Sequence, residues 1–355
     1  MKNELKTRDY SLDFIKIVAT IFIVFHHYQQ VIGTYFENGI NFYNGKFYFG
    51  YMVELFFVLS GYFMYSYIEK IQNGATFRKF FLKRFLRLFP LMTIGAIAYE
   101  IFLVVYQNLY GCSWFDIQTT FWGTIIASLG IQDGWALPNP CVNNPTWYIS
   151  VLLLCYVVFY LIVYISKRLS VTPKYFFIFM ILLGMGINTY GINLPFLNAS
   201  SSRGYYAFFF GILLADFIKS RDIRIKDALF CVGVLIIITS LIVLKPNFMS
   251  TGINYIMTYI YYPALIILCK SAAVGKVLNR KFIGKLGQIS FDVYIWHNPF
   301  YLLLYILIKL FNWNINLNSY ATMIGYTVVC YLFGAFSYYC IERPISKWID
   351  GKQVY

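Results

Sequence analysis

The stretch Asp13-Phe14-Ile15-Lys16-Ile17-Val18-Ala19-Thr20-Ile21-Phe22-Ile23-Val24-Phe25-His26-His27 decides how this chain folds. It is apolar enough to enter a bilayer, yet it carries a carboxylate, an ammonium and two imidazoles. Ionisable groups at that depth cost roughly 2.5–3.5 kcal/mol each on insertion scales, and chains retain them where they face protein, a wet cavity or a ligand. In a helix each residue turns about 100° and rises about 1.5 Å. Lys16 and His27 therefore lie within about 20° of one face and roughly 16 Å apart. Asp13 lies on the other flank of that stripe, about 40° from His27, and can pair with Lys16 at i,i+3. His26 points about 100° away, toward a neighbouring element. The spacing suits a long anionic ligand whose charged end stays low and whose reactive end reaches His27.

The rest of the chain agrees with a membrane setting. Of its 355 residues, 59% are hydrophobic and 12% are charged, against about 25% charged in soluble domains. The expected class is an all-α polytopic membrane protein. A net charge of +14 would suggest nucleic acid in a soluble protein. Here it is read as the excess of Lys and Arg in cytoplasmic loops, with no nucleic-acid partner. A cleavable leader is not expected, because the first apolar run lacks a small-residue cleavage site and carries Asp13 and Lys16. The seven cysteines form no Cys-x-x-Cys pair, and no metal site is expected. Cys112 and Cys141 fall in polar segments on the same expected side, and whether they form a disulfide stays open.

Apolar runs predict ten spans, near 12–33, 50–69, 88–108, 146–166, 175–193, 204–218, 227–244, 253–270, 288–309 and 320–340. An eleventh run, 121–131, is too short to cross and is expected as an extra helix on the outer face. With both termini cytoplasmic, this arrangement puts 24 of the 29 Lys and Arg residues on the inner side. A full span at 121–131 would invert every later loop and destroy that bias. A single membrane domain over 8–350 follows, with cytoplasmic tails at 1–7 and 351–355.

Other polar groups interrupt the spans. Glu54 lies near the outer start of the second span, at a depth similar to His27. A Glu54–His27 contact would orient the imidazole and raise its basicity, as a general base requires. The alternative for Glu54 is a solvated place at the interface. Arg84 and Arg87, just before Pro90, are i,i+3 and can address one phosphate; an ordinary positive-inside cluster is the alternative. Trp147 opens the fourth span and Arg203 the sixth, from the outside. Arg203 could hold a sugar or an acyl oxygen, or merely a lipid headgroup. Ser290, Tyr294 and His297 share one face of the ninth span, as cavity lining or as interhelical hydrogen bonds, with a supporting role favoured. Glu342-Arg343-Pro344 reads as a helix stop.

Taken together these residues resemble the acyltransferase 3 family of bacterial integral-membrane acyltransferases, over about residues 8–350. The matches are Asp13, Lys16 and His27; Phe56, Phe57, Ser60 and Gly61; Arg84, Arg87 and Pro90; Ser290, Tyr294, His297 and Pro299; and Glu342 with Pro344. Two departures stand out. Lys16 replaces the usual arginine, which keeps charge but not bidentate geometry. A Trp-Ser-Leu-Ser-x-Glu type of motif is reduced to Trp147 and Ser150, with Leu152 at the acid's place.

The resemblance implies transfer of an acyl group, usually acetyl from acetyl-CoA, to a hydroxyl of a cell-envelope or exported glycan, at the bacterial plasma membrane. It implies His27 as catalytic base, to which the depth argument adds Glu54, and acyl-CoA held as co-substrate by Arg84 and Arg87. Lys16, Asp13 and Ser60 would line its path, and Arg203, Tyr294, His297 and Trp147 would support the acceptor. No permanently bound cofactor is expected. Partners would be acyl-CoA, a glycan or lipid-linked glycan, membrane lipid and an extracytoplasmic transferase. A transporter or flippase for an anionic lipid-linked sugar is the alternative, favoured if broken helices and inverted repeats were present.

Overall fold

The computed structural model describes residues 10–37, 39–43, 45, 47–115, 121–135, 143–245 and 252–352. Twelve helices carry the architecture: α1 (Ser11–Ile32), α2 (Phe49–Gln72), α3 (Phe77–Tyr110), α4 (Phe121–Leu129), α5 (Asn144–Arg168), α6 (Pro173–Tyr190), α7 (Ala199–Lys219), α8 (Ile225–Leu244), α9 (Ile253–Lys270), α10 (Ala272–Leu278), α11 (Lys281–Phe311) and α12 (Tyr320–Ile349). Among the described residues the β pairing is confined to one isolated bridge, Leu194 with Leu197. Among the described residues, seven helices are long and apolar enough to cross a membrane: α1, α2, α3, α5, α8, α11 and α12. An eighth span arises if α9 and α10, bent by 76° where they meet, count as one. α6 and α7, of 18 and 21 residues, form where the fifth and sixth spans are expected. The nine-residue α4 covers most of the short run at 121–131 and packs against α3. The candidate Cys112–Cys141 pair falls outside the described residues at Cys141.

Three helices run well past their expected limits. α3 begins at Phe77 and continues through Pro90, so Lys83, Arg84 and Arg87 stand on a helix and not in a loop. Thr76 caps its start by accepting from the Lys79 N–H. α11 begins at Lys281 and continues through Pro299. α12 does not stop at Glu342-Arg343-Pro344. A wide turn at Tyr338–Glu342 absorbs the change of register, and the helix resumes at Arg343. A proline removes one helical hydrogen bond and need not end the helix when another donor takes the freed carbonyl. At Pro299 that donor is visible: Asn143 Nδ2 donates to the Ile295 carbonyl at 3.1 Å, the position a proline leaves open.

Contacts between helices fix their relative directions. Tyr10 N–H donates to Asn279 Oδ1 at one end of the bundle, and Tyr301 Oη donates to the Val24 carbonyl deeper in, so α1 and α11 run side by side in one direction. α12 returns antiparallel to them, as Tyr331 to Ile17 and the Tyr28–Tyr326 ring contact show. α2 and α7 run together, paired by Glu54 with Arg203 at one end and Tyr65 with Asp216 at the other. Small residues allow this last contact. A β-carbon on Gly61 would lie 1.9 Å from the Phe208 carbonyl oxygen, and one on Gly211 would lie 2.1 Å from that of Val58. Only glycine lets these backbones approach so closely, the means by which helices associate where lipid offers no hydrophobic contrast. The core is a continuous cluster of Phe, Tyr, Leu and Ile between α1, α2, α5, α7 and α11. The outward face of α8, with Leu229, Ile236 and Ile237, stays exposed and apolar.

Candidate active site

Of the cavities among the described residues, two open beside α1, one toward each end of the bundle. The first, of about 520 Å³, lies at the end where α1, α3 and α11 begin, and we call it the basic cavity. Lys16, Lys83, Arg87, Arg343 and Lys347 give it five cations, set against Glu342. Lys16 Nζ lies 2.8 Å from Asp13 Oδ1 and over the Phe63 ring, so the i,i+3 pair expected in α1 is formed. Asp13 in turn is packed against Gly287 of α11, where a β-carbon would lie 2.5 Å from its own. Arg87 faces the buried Glu342 at 3.8 Å while 71% of its side chain remains open.

Arg84 does not join Arg87. Its guanidinium lies 3.8 Å from the Phe80 ring centre and 4.0 Å from that of Tyr67, and Nη1 donates to the Phe80 carbonyl. The expectation that both arginines address one phosphate is therefore corrected. The aromatic seam between α2 and α3 holds Arg84 by cation–π contact, and Lys83, one turn before Arg87, takes its place in the cavity.

The second cavity, of about 430 Å³, contains both histidines of α1, and we call it the histidine cavity. Gln30, Tyr48, Asn144, Trp147, Arg203 and Asn298 also line it. His27 Nδ1 lies 2.9 Å from Gln30 Oε1, one turn further along α1. An amide oxygen only accepts, so Nδ1 carries the proton and Nε2 presents its lone pair. His26 donates from Nδ1 to the Phe42 carbonyl and meets Tyr43 and Tyr48 edge-on, which anchors the loop after α1. Burial pushes the Tyr48 phenol above its ordinary range, with the nearby Arg203 charge opposing.

The expected Glu54–His27 contact is replaced by another pairing. Glu54 is 1% exposed, and both its oxygens accept from Arg203, at 2.7 Å each. Tyr206 Oη donates to it as well, at 2.8 Å. A fork of two parallel N–H donors matches a carboxylate better than one imidazole nitrogen does, and α7 delivers that fork because Gly61 and Gly211 bring it against α2. Arg203 also donates to the Gly50 carbonyl and lies over the Trp147 ring at 4.8 Å. Arg203 and Trp147 thus meet at the cavity wall.

An aromatic layer separates the two cavities, whose linings share no residue. The long ligand expected to reach from Lys16 to His27 would have to cross this layer. Tyr294 Oη donates to the Pro145 carbonyl across the layer. Tyr148 is hydrogen-bonded to Ser60 at 3.0 Å, and Phe56 and Phe57 pack on Tyr148. Ser60 accordingly stands in the layer. His297 lies behind it, fully buried, with its ring 5.2 Å from that of His27.

Residue spacing missed several of these groups. Gln30 was open to discovery as the i+3 neighbour of His27, and Lys83 as the i−4 neighbour of Arg87. Asn143, Asn144, Asn298, Arg343 and Lys347 come from distant segments, and no local pattern marks them. Among the described residues no group of three His, Cys, Asp or Glu side chains could hold a metal ion.

The sequence matches a family model described as an acyltransferase domain over residues 9–340. No curated protein and no solved structure matches it.

Proposed function

The chain belongs to this acyltransferase 3 family, and from that premise we propose that it moves an acyl group, acetyl in the simplest case, from acyl-CoA to a hydroxyl of an envelope or exported glycan. The observation that carries the proposal is the placing of a His27 lone pair in a polar cavity, back to back with a basic one. In this proposal all ten long helices cross the bacterial plasma membrane, both termini and the basic cavity face the cytoplasm, and the histidine cavity faces outward. The bias of Lys and Arg supports that orientation.

The basic cavity suits the phosphates of acyl-CoA, with Arg87 and Arg343 as guanidinium forks, Lys83 and Lys347 as point charges and Lys16 deeper in. The thioester passes the Tyr148–Tyr294 layer toward His27 when that layer opens. The acceptor sugar occupies the histidine cavity beside Trp147 and Arg203. His27 Nε2 removes the hydroxyl proton, and the oxygen attacks the thioester carbonyl. The C–S bond breaks with its electron pair on sulfur, and the proton passes from His27 to that thiolate. Gln30 holds the imidazole in the required tautomer. Glu54 acts at one remove, by fixing Arg203.

The test is acetyl transfer from labelled acetyl-CoA by the purified protein in vesicles, together with the acetyl content of envelope glycan from cells. His27→Ala should abolish both while the protein still inserts. Two cavities divided by a layer also fit a carrier for an anionic lipid-linked sugar. That second reading requires His27→Ala to leave acetylation unchanged and to alter only movement of the lipid.

A further inference from the structure

His297 sits in α11 with none of its surface exposed. Its Nδ1 lies 2.7 Å from the Tyr294 carbonyl, so Nδ1 is the donor and Nε2 carries the lone pair. That Nε2 is buried and has no hydrogen-bond partner. Leaving a buried polar atom unsatisfied is costly, and packing alone does not explain that cost. The ring is nonetheless held firmly. Its backbone carbonyl accepts from Tyr326 Oη, the rings of Tyr294 and Tyr301 flank it, and Pro299 two residues on is stabilised through the Ile295 carbonyl by Asn143. Among the described residues, the one titratable ring that meets it from another helix is that of His27, at 5.2 Å between ring centres and 35° between planes.

We propose that His297 is the second imidazole of the reaction centre, whose Nε2 accepts a hydrogen bond from the Nε2–H that His27 acquires during transfer. The proposal rests on His27 being the base. The acceptor O–H bond breaks toward His27 Nε2 as the acceptor oxygen bonds the carbonyl carbon. Until the C–S bond has broken and the thiolate takes that proton, His27 is an imidazolium. Its Nδ1–H is held by Gln30 and its Nε2–H by His297. Catalytic hydrogen bonds that are long before substrate binds tighten in the reacting complex. A neutral acceptor already fixed in place stabilises the charge without reorganising at the moment of reaction. His297 is thus a positioning residue acting through His27.

Two replacements separate this role from packing. His297→Asn places an amide nitrogen near the former Nδ1, keeping the bond to Tyr294 and deleting Nε2. His297→Gln places its amide near the former Nε2, keeping an acceptor there and giving up the Tyr294 bond. With the purified protein in vesicles and acetyl-CoA as donor, His297→Asn should lose at least about 30-fold in kcat at unchanged KM for acetyl-CoA, and His297→Gln should stay within about tenfold of the parent. An Asn variant within threefold of the parent overturns the proposal, as do equal losses in both variants. Should the Asn variant not survive purification, His297→Leu replaces it. The Gln variant must then exceed Leu at least about tenfold in kcat at equal yield, and equality overturns the proposal. His27→Ala is assayed alongside. Transfer that survives in it defeats the base itself, whereas its loss beside a fully active His297→Asn defeats only the pairing.

Discussion

Glu54 of α2 and Arg203 of α7 form a two-pronged ion pair, with both N–O distances at 2.7 Å and the carboxylate 1% exposed. The pair closes the wall of the histidine cavity and ties two helices whose backbones already touch at Gly61 and Gly211. Removing one member of a buried pair typically costs about 3–5 kcal/mol, because the other charge is left unpaired. Arg203 is 30% exposed, so the lower end applies. Glu54→Gln and Arg203→Gln should each lower the thermal midpoint clearly, and the double variant should recover part of the loss. A double-mutant cycle on detergent-purified protein measures the coupling; simple additivity would show that the pair contributes nothing as a pair.

The Gln30 amide is assigned the orientation of His27. Gln30→Leu should lower kcat by about tenfold to a hundredfold with KM for either substrate nearly unchanged, since general-base catalysis as a whole is worth 10²–10⁴. Gln30→Glu retains an acceptor at the same reach and should keep more activity than the leucine variant. Steady-state kinetics with acetyl-CoA on the three proteins checks the order.

Arg84 and Arg87, three residues apart, should separate by experiment. Arg87→Ala, alone or with Lys347→Ala, removes charge from the basic cavity and should raise KM for acyl-CoA several-fold, the effect shrinking as salt increases. Arg84→Ala removes the cation stacked between Tyr67 and Phe80 and should lower stability by about 1 kcal/mol without a specific effect on donor KM. A donor-analogue titration beside a melting curve distinguishes the two outcomes.

Much of this was legible in the sequence, for physical reasons that also mark its limits. The stripe from Asp13 to His27 could be drawn because a helix fixes which residues of one segment share a face, and the Asp13–Lys16 pair formed as expected. Helix limits were misjudged at Phe77 and Ile349 because Pro90 and Pro344 were taken as ends, and at Lys281 because the charged Lys281 and Lys285 lie before the apolar run. Within α11, Pro299 is accommodated with help from Asn143, a residue more than 150 positions away. The Glu54–His27 contact failed for a similar reason. Equal depth on consecutive helices makes a contact available, but the Arg203 fork competes better, and nothing near residue 54 announces residue 203. The closed layer between the cavities depends on Tyr148 and Tyr294 from different helices, which spacing within either cannot reveal.

That layer makes a prediction of its own. Tyr148→Ala should join the two cavities by removing the ring that meets Ser60, Phe57 and Tyr294. Acyl-CoA would then meet water on the histidine side, and the variant should release CoA thiol without an acceptor faster than the parent does. A thiol-release assay in acceptor-free vesicles measures this. An unchanged basal rate with undiminished transfer would mean that Tyr148 does not separate donor from solvent.

The most direct trial of the whole account is a single-turnover experiment on vesicle-reconstituted protein loaded with labelled acetyl-CoA and presented with acceptor glycan. The parent should pass label to the glycan and release one CoA thiol per acetyl moved. His27→Ala should bind the donor with the parent's affinity and move none. Undiminished transfer in that variant would contradict the account at its base.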